Sequence, residues 1–339
     1  MDRDDIRTTR KAQQFGSSTI AVSLPAAWVR RLGVEKGDEL HLSFDAQGDT
    51  LRVSPASVEA THPSVDVDVT GLSAATVRHL LRAQYVLGRR RVRVHADGGL
   101  TPAHREGLVD TERLLMGFTV VTEGDDAVDV RCSVDAGDFE VPALLGRLAD
   151  QEATLRADVA DAAVGDGSPP GDSRPSGARR LFYLLSRVVH VGLGSPGRPG
   201  SVGAQTAAHL LGYHAVADHL ATAVDRLDGV VQACEDGDRP PVDEAALDRV
   251  RTLAATVDRA ATASHTAVLD PSVEGVVEAW ATVEAAAERF AADHAAVASA
   301  LPPAAACVRR LLAALRDRLG AAHHALDVAS RFAFASPRA

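Results

Sequence analysis

The sequence predicts a multidomain protein with three parts: a β-rich N-terminal unit, a small α/β middle unit and a long all-α region. Three observations support this fold class. Short alternating segments separated by turn residues fill residues 1–55, strands alternate with helices over residues 64–135, and helical apolar stripes run through residues 140–334. A chain of 339 residues is long enough for two or three domains. We therefore predict domains with these boundaries.

The N-terminal unit is predicted to contain four short strands and one helix. Apolar and polar side chains alternate over residues 7–13 and 19–24, and again over residues 40–44 and 51–53. Between the two pairs, residues 26–32 carry apolar side chains at helical spacing. Strands this short bury too little apolar surface in about fifty residues to be stable alone. We therefore expect a partner chain.

Proline and glycine mark the ends of the predicted helix. Pro25 suits the first helical position, because its missing N–H has no helical partner there. Gly33 suits a C-terminal cap with positive φ, and Gly37 followed by Asp38 predicts a turn before the third strand.

The motifs G-S-S, L-P, W-V…L-G and K-G-D, followed by a strand that ends in Pro55, occur in this order between Ile6 and Pro55. Their order and spacing resemble the SpoVT-AbrB family. The resemblance implies a swapped-hairpin β-barrel built by two interleaved chains, which is a homodimer, and it implies DNA as a partner. A barrel that only dimerises the chain is the alternative.

The positions just before Gly16 are often basic in that family, whereas this chain has two glutamines there. Glutamine can bond the edge of a base, particularly adenine, and the preceding basic side chains can contact phosphates. The predicted DNA-binding residues are Arg7, Arg10, Lys11, Gln13 and Gln14.

The net charge is −10, and Lys11 and Lys36 are the only lysines. Such an acidic, lysine-poor composition suits a high-salt cytoplasm and indicates a halophilic source, although a GC-rich genome would also favour arginine. No signal peptide is visible, and no apolar run approaches the roughly twenty residues that span a bilayer. We therefore expect a cytoplasmic protein without membrane insertion.

Cysteines are few and far apart, and they fit neither a zinc site nor a disulfide framework. Reduced thiols are therefore expected at Cys132, Cys234 and Cys307.

The middle unit is predicted to alternate strands with helices, with two final strands before residue 135. Its basic run Arg89–Arg93 is interpreted as a charged strand edge, with anion or DNA binding as the alternative. Beyond the middle unit, apolar periodicity predicts six helices. Five of them cover residues 141–163, 178–193, 202–229, 243–268 and 303–334, and another, the fifth in chain order, begins at Pro271 with Asp270 as its cap. Two groups of three suggest two three-helix bundles.

The third and sixth of these helices share the pattern His-x-x-x-Asp, as His214 with Asp218 and His323 with Asp327. A spacing of four places both side chains on one helix face. Imidazole and carboxylate can together bind a transition metal, and a hydrogen-bonded His–Asp pair is the alternative.

Two stretches, RRLFYLLSRVVHVGL and LLGYHAVADHLATAV, resemble the second and third helices of PhoU phosphate-uptake regulators. The resemblance covers residues 140–334 and implies a PhoU-like pair of three-helix bundles. Family members carry clustered metals through Glu-x-x-x-Asp pairs, and the matching positions here have histidine in place of glutamate. On this basis the metal ligands would be His214, Asp218, His323 and Asp327.

Motifs for catalysis are missing: there is no Gly-rich phosphate loop, no Gly-x-Ser-x-Gly elbow and no metalloprotease motif. We therefore predict no enzyme and no catalytic residue. The two resemblances together imply a DNA-binding transcriptional regulator of phosphate uptake, whose helical part senses a signal or binds a phosphate transporter or signalling protein. One alternative is a PhoU-type adaptor for a transporter or kinase, with the barrel used only for dimerisation. Another is an antitoxin-like DNA-binding protein.

Overall fold

The computed structural model forms two compact units, residues 1–62 and residues 63–339. It describes residues 9–15, 19–44, 51–55, 64–171, 173–194, 199–236, 242–302 and 304–335.

Two antiparallel hairpins with a helix between them make up the first unit. β1 (Gln13–Phe15) pairs with β2 (Thr19–Ala21), and α1 (Ala26–Leu32) follows. β3 (Leu40–Phe44) then pairs with β4 (Leu51–Pro55). Each hairpin forms its own two-stranded sheet within the described part of one chain.

The start of β1 and the cap of α1 differ from the sequence prediction. The first strand was predicted over residues 7–13, but β1 begins at Gln13, because its pairing with β2 starts at the turn and ends at Ala21. Pro25 was predicted as the first helical residue, but its extended ψ of 126° makes it the N-cap. Gly33 ends α1 with φ 65°, as predicted.

The second unit begins with a four-stranded mixed sheet in the order β5-β6-β8-β7, in which β5 and β6 are parallel and the other neighbours antiparallel. Two helices that lie between strands in the sequence pack on each other, and their apolar side chains share one core with the apolar side chains on the buried face of the sheet. The elements are β5 (Val65–Asp68), α2 (Ala74–Val86), β6 (Arg91–His95), α3 (Pro102–Leu114), β7 (Phe118–Glu123) and β8 (Ala127–Cys132).

Strand β6 has a buried and an exposed face. Val92 and Val94 are buried against the helices, whereas Arg91 and Arg93 are exposed on the other side. Period-two alternation places successive side chains on opposite faces of a sheet. The arginines of the basic run therefore form the exposed face of β6. The sequence suggested that this run is a charged edge strand, but β6 is an inner strand that lies between β5 and β8.

Long helices make up the rest of the second unit. The first three pack on one another, and so do the last three, as the sequence predicted. Contacts of α6 with α9 and of α4 with α7 join the groups into one continuous core. No helix in the described ranges is both long and apolar enough to cross a membrane. The helices are α4 (Val141–Val164), α5 (Ser173–Gly194), α6 (Ala207–Asp236), α7 (Glu244–Leu269), α8 (Val273–Ala300) and α9 (Ala306–Ala335).

The expectation of reduced thiols is wrong for two of the three cysteines. Helices α6 and α9 run antiparallel, so the end of α6 meets the beginning of α9. This brings the Cα atoms of Cys234 and Cys307 to 5.1 Å, and their sulfurs form a disulfide. Cys132 is a buried free thiol.

The start of α8 also differs from the prediction. Asp270 was expected to cap this helix, but it ends α7. The side chain of Ser272 instead accepts a hydrogen bond from the Gly275 N–H, so Ser272 is the N-cap and the helix begins at Val273.

A buried cluster of charged side chains joins α4, α7 and α9. Glu152 accepts a 3.0 Å hydrogen bond from Nε of Arg156 and lies 3.3 Å from Nε of Arg318. Arg156 continues to Asp258 at 2.7 Å, and Arg318 donates to Nε2 of His265 at 2.9 Å. Burial alone would raise the pKa of Glu152, but Arg318 and Arg156 outweigh it and lower the pKa to about 2. The carboxylate therefore stays charged inside the bundle.

Candidate nucleic-acid interface

The N-terminal unit has no described side chain that is buried within the single chain. Its apolar positions are open to solvent: Ile20 is 71% exposed, Leu42 59% and Leu51 52%. Alternating apolar side chains of a strand normally face a core, because one sheet face is buried. An apolar face without a core is what a second chain would cover.

The predicted DNA contacts lie together in an exposed segment. Arg10 and Lys11 precede β1, and Gln13 and Gln14 lie within it. Arg7 lies outside the described residues. Neither Arg10 nor Lys11 makes an ion pair with another described residue, and Arg10 donates only to the neighbouring carbonyl oxygen of Thr9 at 3.1 Å. Both cations are therefore available to an external anion.

The two glutamines face opposite sides of the first hairpin. Gln13 is paired with Ala21, and Gln14 with Ile20. Residues directly opposite each other on paired strands share a face of the sheet. Gln14 therefore lies on the apolar face of Ile20, whereas Gln13 lies on the other side. If a partner chain covers the apolar face, Gln13 is the glutamine left free to contact DNA.

On α6, the structure places His214 half-buried and Asp218 exposed, one turn apart. The His214 ring lies 6.2 Å from that of Phe182, and burial lowers the pKa of His214, although Asp218 opposes this. His214 therefore offers a half-buried, neutral imidazole, and Asp218 offers an exposed carboxylate one turn along α6.

On α9, His323 is half-buried and Asp327 exposed. Nδ1 of His323 donates to the carbonyl oxygen of Leu319 at 3.0 Å, so only Nε2 of this ring remains for another contact. Its ring packs edge-on against Trp280, with centroids 5.7 Å apart. In the described ranges no three or more His, Cys, Asp or Glu side chains are grouped to hold a metal. Metal binding by these pairs remains a prediction.

A different histidine pair meets across α6 and α9. The rings of His219 and His324 stack with centroids 4.8 Å apart and planes 4° from parallel. Burial, followed by the neighbouring His324, lowers the pKa of His219. The sequence offered no partner for His324, since no local spacing links two residues on separate antiparallel helices.

Residues 13–59 match the family model described as antidote-toxin recognition MazE, bacterial antitoxin. The matched domain is of the AbrB-like swapped-hairpin type, in agreement with the motifs between Ile6 and Pro55. No curated protein and no solved structure matches the chain. The PhoU-like interpretation of residues 140–334 depends on the resemblance of the two helical stretches and on the helical architecture.

Proposed function

We propose that the chain is a DNA-binding regulator that acts as a homodimer. The exposed apolar face of the N-terminal hairpins carries this proposal, since a second chain would supply the core that one chain lacks. A twofold dimer also presents two copies of the exposed segment that contains Arg10, Lys11 and Gln13.

Phosphates and base edges would be contacted by different side chains of this segment. Arg10 and Lys11 supply positive charge for the phosphate backbone, which gives affinity without sequence preference. Gln13 supplies an amide that can pair with adenine. Because the whole chain carries a charge of −10, DNA attraction depends on this local excess and weakens steeply with salt.

The helical region would be the sensor or partner-binding part of the regulator. Its resemblance to PhoU supports control of phosphate uptake, with a phosphate transporter or signalling protein as partner. In the adaptor alternative, the same region acts on a transporter or kinase, and the N-terminal unit only dimerises the chain.

An antitoxin-like DNA-binding protein is the second candidate, and the MazE match favours it. In this alternative, the longer second unit binds a toxin-like protein. Co-purification with the product of a neighbouring toxin-like gene would distinguish it from the phosphate regulator, which would instead respond to phosphate supply.

The test is DNA binding by the full-length protein, measured by fluorescence anisotropy with selected genomic and random duplexes. We expect binding at about 0.1 M salt, where the Debye length is about 10 Å. The double variant Arg10→Ala with Lys11→Ala should weaken binding to all sequences. The double variant Arg147→Ala with Arg331→Ala, at two exposed positions of the second unit, is the matched control and should leave DNA binding unchanged. A folded wild-type dimer that binds no DNA would reject the regulator and favour the adaptor.

A further inference from the structure

A cleft of about 480 Å³ opens within the second unit, between the α/β part and the long helices. Helices α2, α3, α5 and α6 line it. Two aromatic side chains, Phe182 and Tyr183, form an apolar part of its wall. Although the chain is acidic, the lining contains four arginines: Arg78, Arg82, Arg113 and Arg179.

Two of these arginines are neutralised by carboxylates. Nη1 of Arg78 donates to Asp110 at 2.6 Å. Arg179 donates to Asp225 and to Asp228, both at 2.8 Å. These pairs hold the two guanidinium groups against the walls of the cleft, so they shape the cleft without leaving charge for a ligand.

Arg82 and Arg113 are different, because neither makes an ion pair with another described residue. The guanidinium carbon of Arg82 lies 5.3 Å from the centroid of the Tyr183 ring, which orients the side chain. Its Nε is buried and has no hydrogen-bond partner within the described part of the chain. The Arg82 guanidinium lines the cleft and makes no hydrogen bond with another described residue, so its terminal donors are available to an anion.

We infer that this cleft binds a small oxyanion, a phosphate or carboxylate group, through Arg82 and Arg113. The planar guanidinium fork matches both groups, and Arg82 is already positioned by Tyr183. Phe182 and Tyr183 would contact the apolar part of a larger ligand. Since Arg82 and Arg113 lie on α2 and α3, and Phe182 and Tyr183 on α5, a ligand that contacts both pairs would join the α/β part to the helices. The proposal does not depend on DNA binding.

The test is isothermal titration calorimetry of the full-length protein at low salt with inorganic phosphate, AMP and citrate as probes. We expect binding of at least one probe with a Kd of about 1 mM or lower. Arg113→Gln should weaken it by about tenfold or more, because a hydrogen bond to a charged group is lost. Arg113 is exposed, so this variant should keep its fold. Arg82→Gln, checked by circular dichroism, should have a similar effect.

Arg147→Gln is the matched control, because it removes the same charge from an exposed position of α4, outside the cleft. It should leave affinity unchanged. If phosphate and AMP bind and citrate does not, the ligand carries a phosphoryl group. If citrate binds and the other two do not, the ligand carries a carboxylate. No binding of any probe, or an equal loss in Arg147→Gln and Arg113→Gln, would overturn the proposal. Neither result would affect the DNA-binding proposal, which is measured separately on the N-terminal unit's variants.

Discussion

Arg187 in α5 donates a 2.6 Å hydrogen bond from Nη1 to the carbonyl oxygen of Tyr85, at the end of α2. The same guanidinium donates to the carbonyl oxygens of Gly88, Arg89 and Val134, and it lies 4.9 Å from the centroid of the Tyr85 ring. The last carbonyls of a helix have no partner within it and carry partial negative charge. The Tyr85 carbonyl also accepts from the Gly88 N–H at 3.0 Å, so Arg187 adds a second, charged donor there and links the α/β part to the long helices.

The first prediction is that Arg187→Met destabilises the second unit. Methionine preserves much of the packing but removes every donor, so the carbonyl oxygens of Gly88, Arg89 and Val134 lose the Arg187 hydrogen bond. We expect a loss of about 3 kcal/mol in the free energy of unfolding, measured by urea denaturation. Arg180→Met, an exposed arginine on the same helix, is the control and should change stability by less than about 0.5 kcal/mol. Equal losses of stability in the two variants would show that the Arg187 hydrogen bonds do not stabilise the contact between the α/β part and the long helices.

The second prediction concerns stability in acid. Burial, with Arg318 beside it, lowers the pKa of His265 from 6.5 to about 3. Below pH 6.5 the unfolded chain takes up a proton at His265 that the folded chain does not, so stability should fall as the pH drops from 6.5 toward 3. Glu152, whose pKa falls from 4.5 to about 2, adds a further loss as the pH drops below 4.5.

Denaturation midpoints between pH 7 and pH 3.5 measure this dependence. His265→Gln, which keeps an acceptor for Arg318, should flatten the fall between pH 6.5 and pH 4.5. His190→Gln, at an exposed position, should leave the profile unchanged. A profile that His265→Gln does not alter would contradict the buried neutral imidazole.

The third prediction is that the full chain is a dimer and that the apolar face of the N-terminal unit contributes to it. Leu42→Glu places a charge at an apolar position that is 59% exposed in the single chain. We expect sedimentation velocity to shift toward the monomer, because burial of an unpaired charge in an interface is costly. Val121→Glu, at a position 61% exposed on β7, should leave the dimer intact. A wild-type monomer would reject the swapped-hairpin arrangement.

The fourth prediction separates phosphate from base contacts on DNA. Arg10→Ala should lower the slope of log affinity against log salt by about one for each lost phosphate contact, and therefore by about two for the dimer. Gln13→Ala should instead cost roughly 1–3 kcal/mol at particular base pairs, while random DNA is bound as before. Gln14→Ala is the control, because Gln14 shares the apolar face with Ile20. Sequence selectivity that Gln14→Ala removes and Gln13→Ala spares would contradict this assignment.

The fifth prediction concerns the His-x-x-x-Asp pairs. Each pair offers two ligands, whereas strong zinc sites in proteins use three or four. We expect the protein to retain well under one equivalent of transition metal after dialysis, measured by elemental analysis. The double variant His214→Ala with His323→Ala should not change that content. Stoichiometric metal that this variant removes would instead establish the pairs as ligands.

Much of the architecture follows from local signals in the sequence. The 3.6-residue periodicity located the long helices, since an apolar stripe must be buried whatever the neighbours are. Gly33 marked the end of α1, because positive φ costs glycine little. The turn motifs between Ile6 and Pro55 identified the family type of the N-terminal unit before any contact was known.

The sequence predicted the first residue of a strand or helix less well, because strand pairing and helix capping decide where these elements begin. The first strand moved from residues 7–13 to Gln13–Phe15, because a strand exists only where a partner strand pairs with it. The cap of α8 moved from Asp270 to Ser272, because two polar side chains in sequence could each bond the first free N–H groups.

The sequence by itself determined which segments are strands or helices, and which of their faces are apolar. Only the tertiary structure decided which polar side chains meet: Arg187 with Tyr85, His219 with His324, and Cys234 with Cys307. Periodicity shows which side of a helix or strand a residue lies on, but it does not show which residue of another element packs against it. These partners lie on separate elements, many residues apart, and only the packing of the whole core brings them within bonding distance.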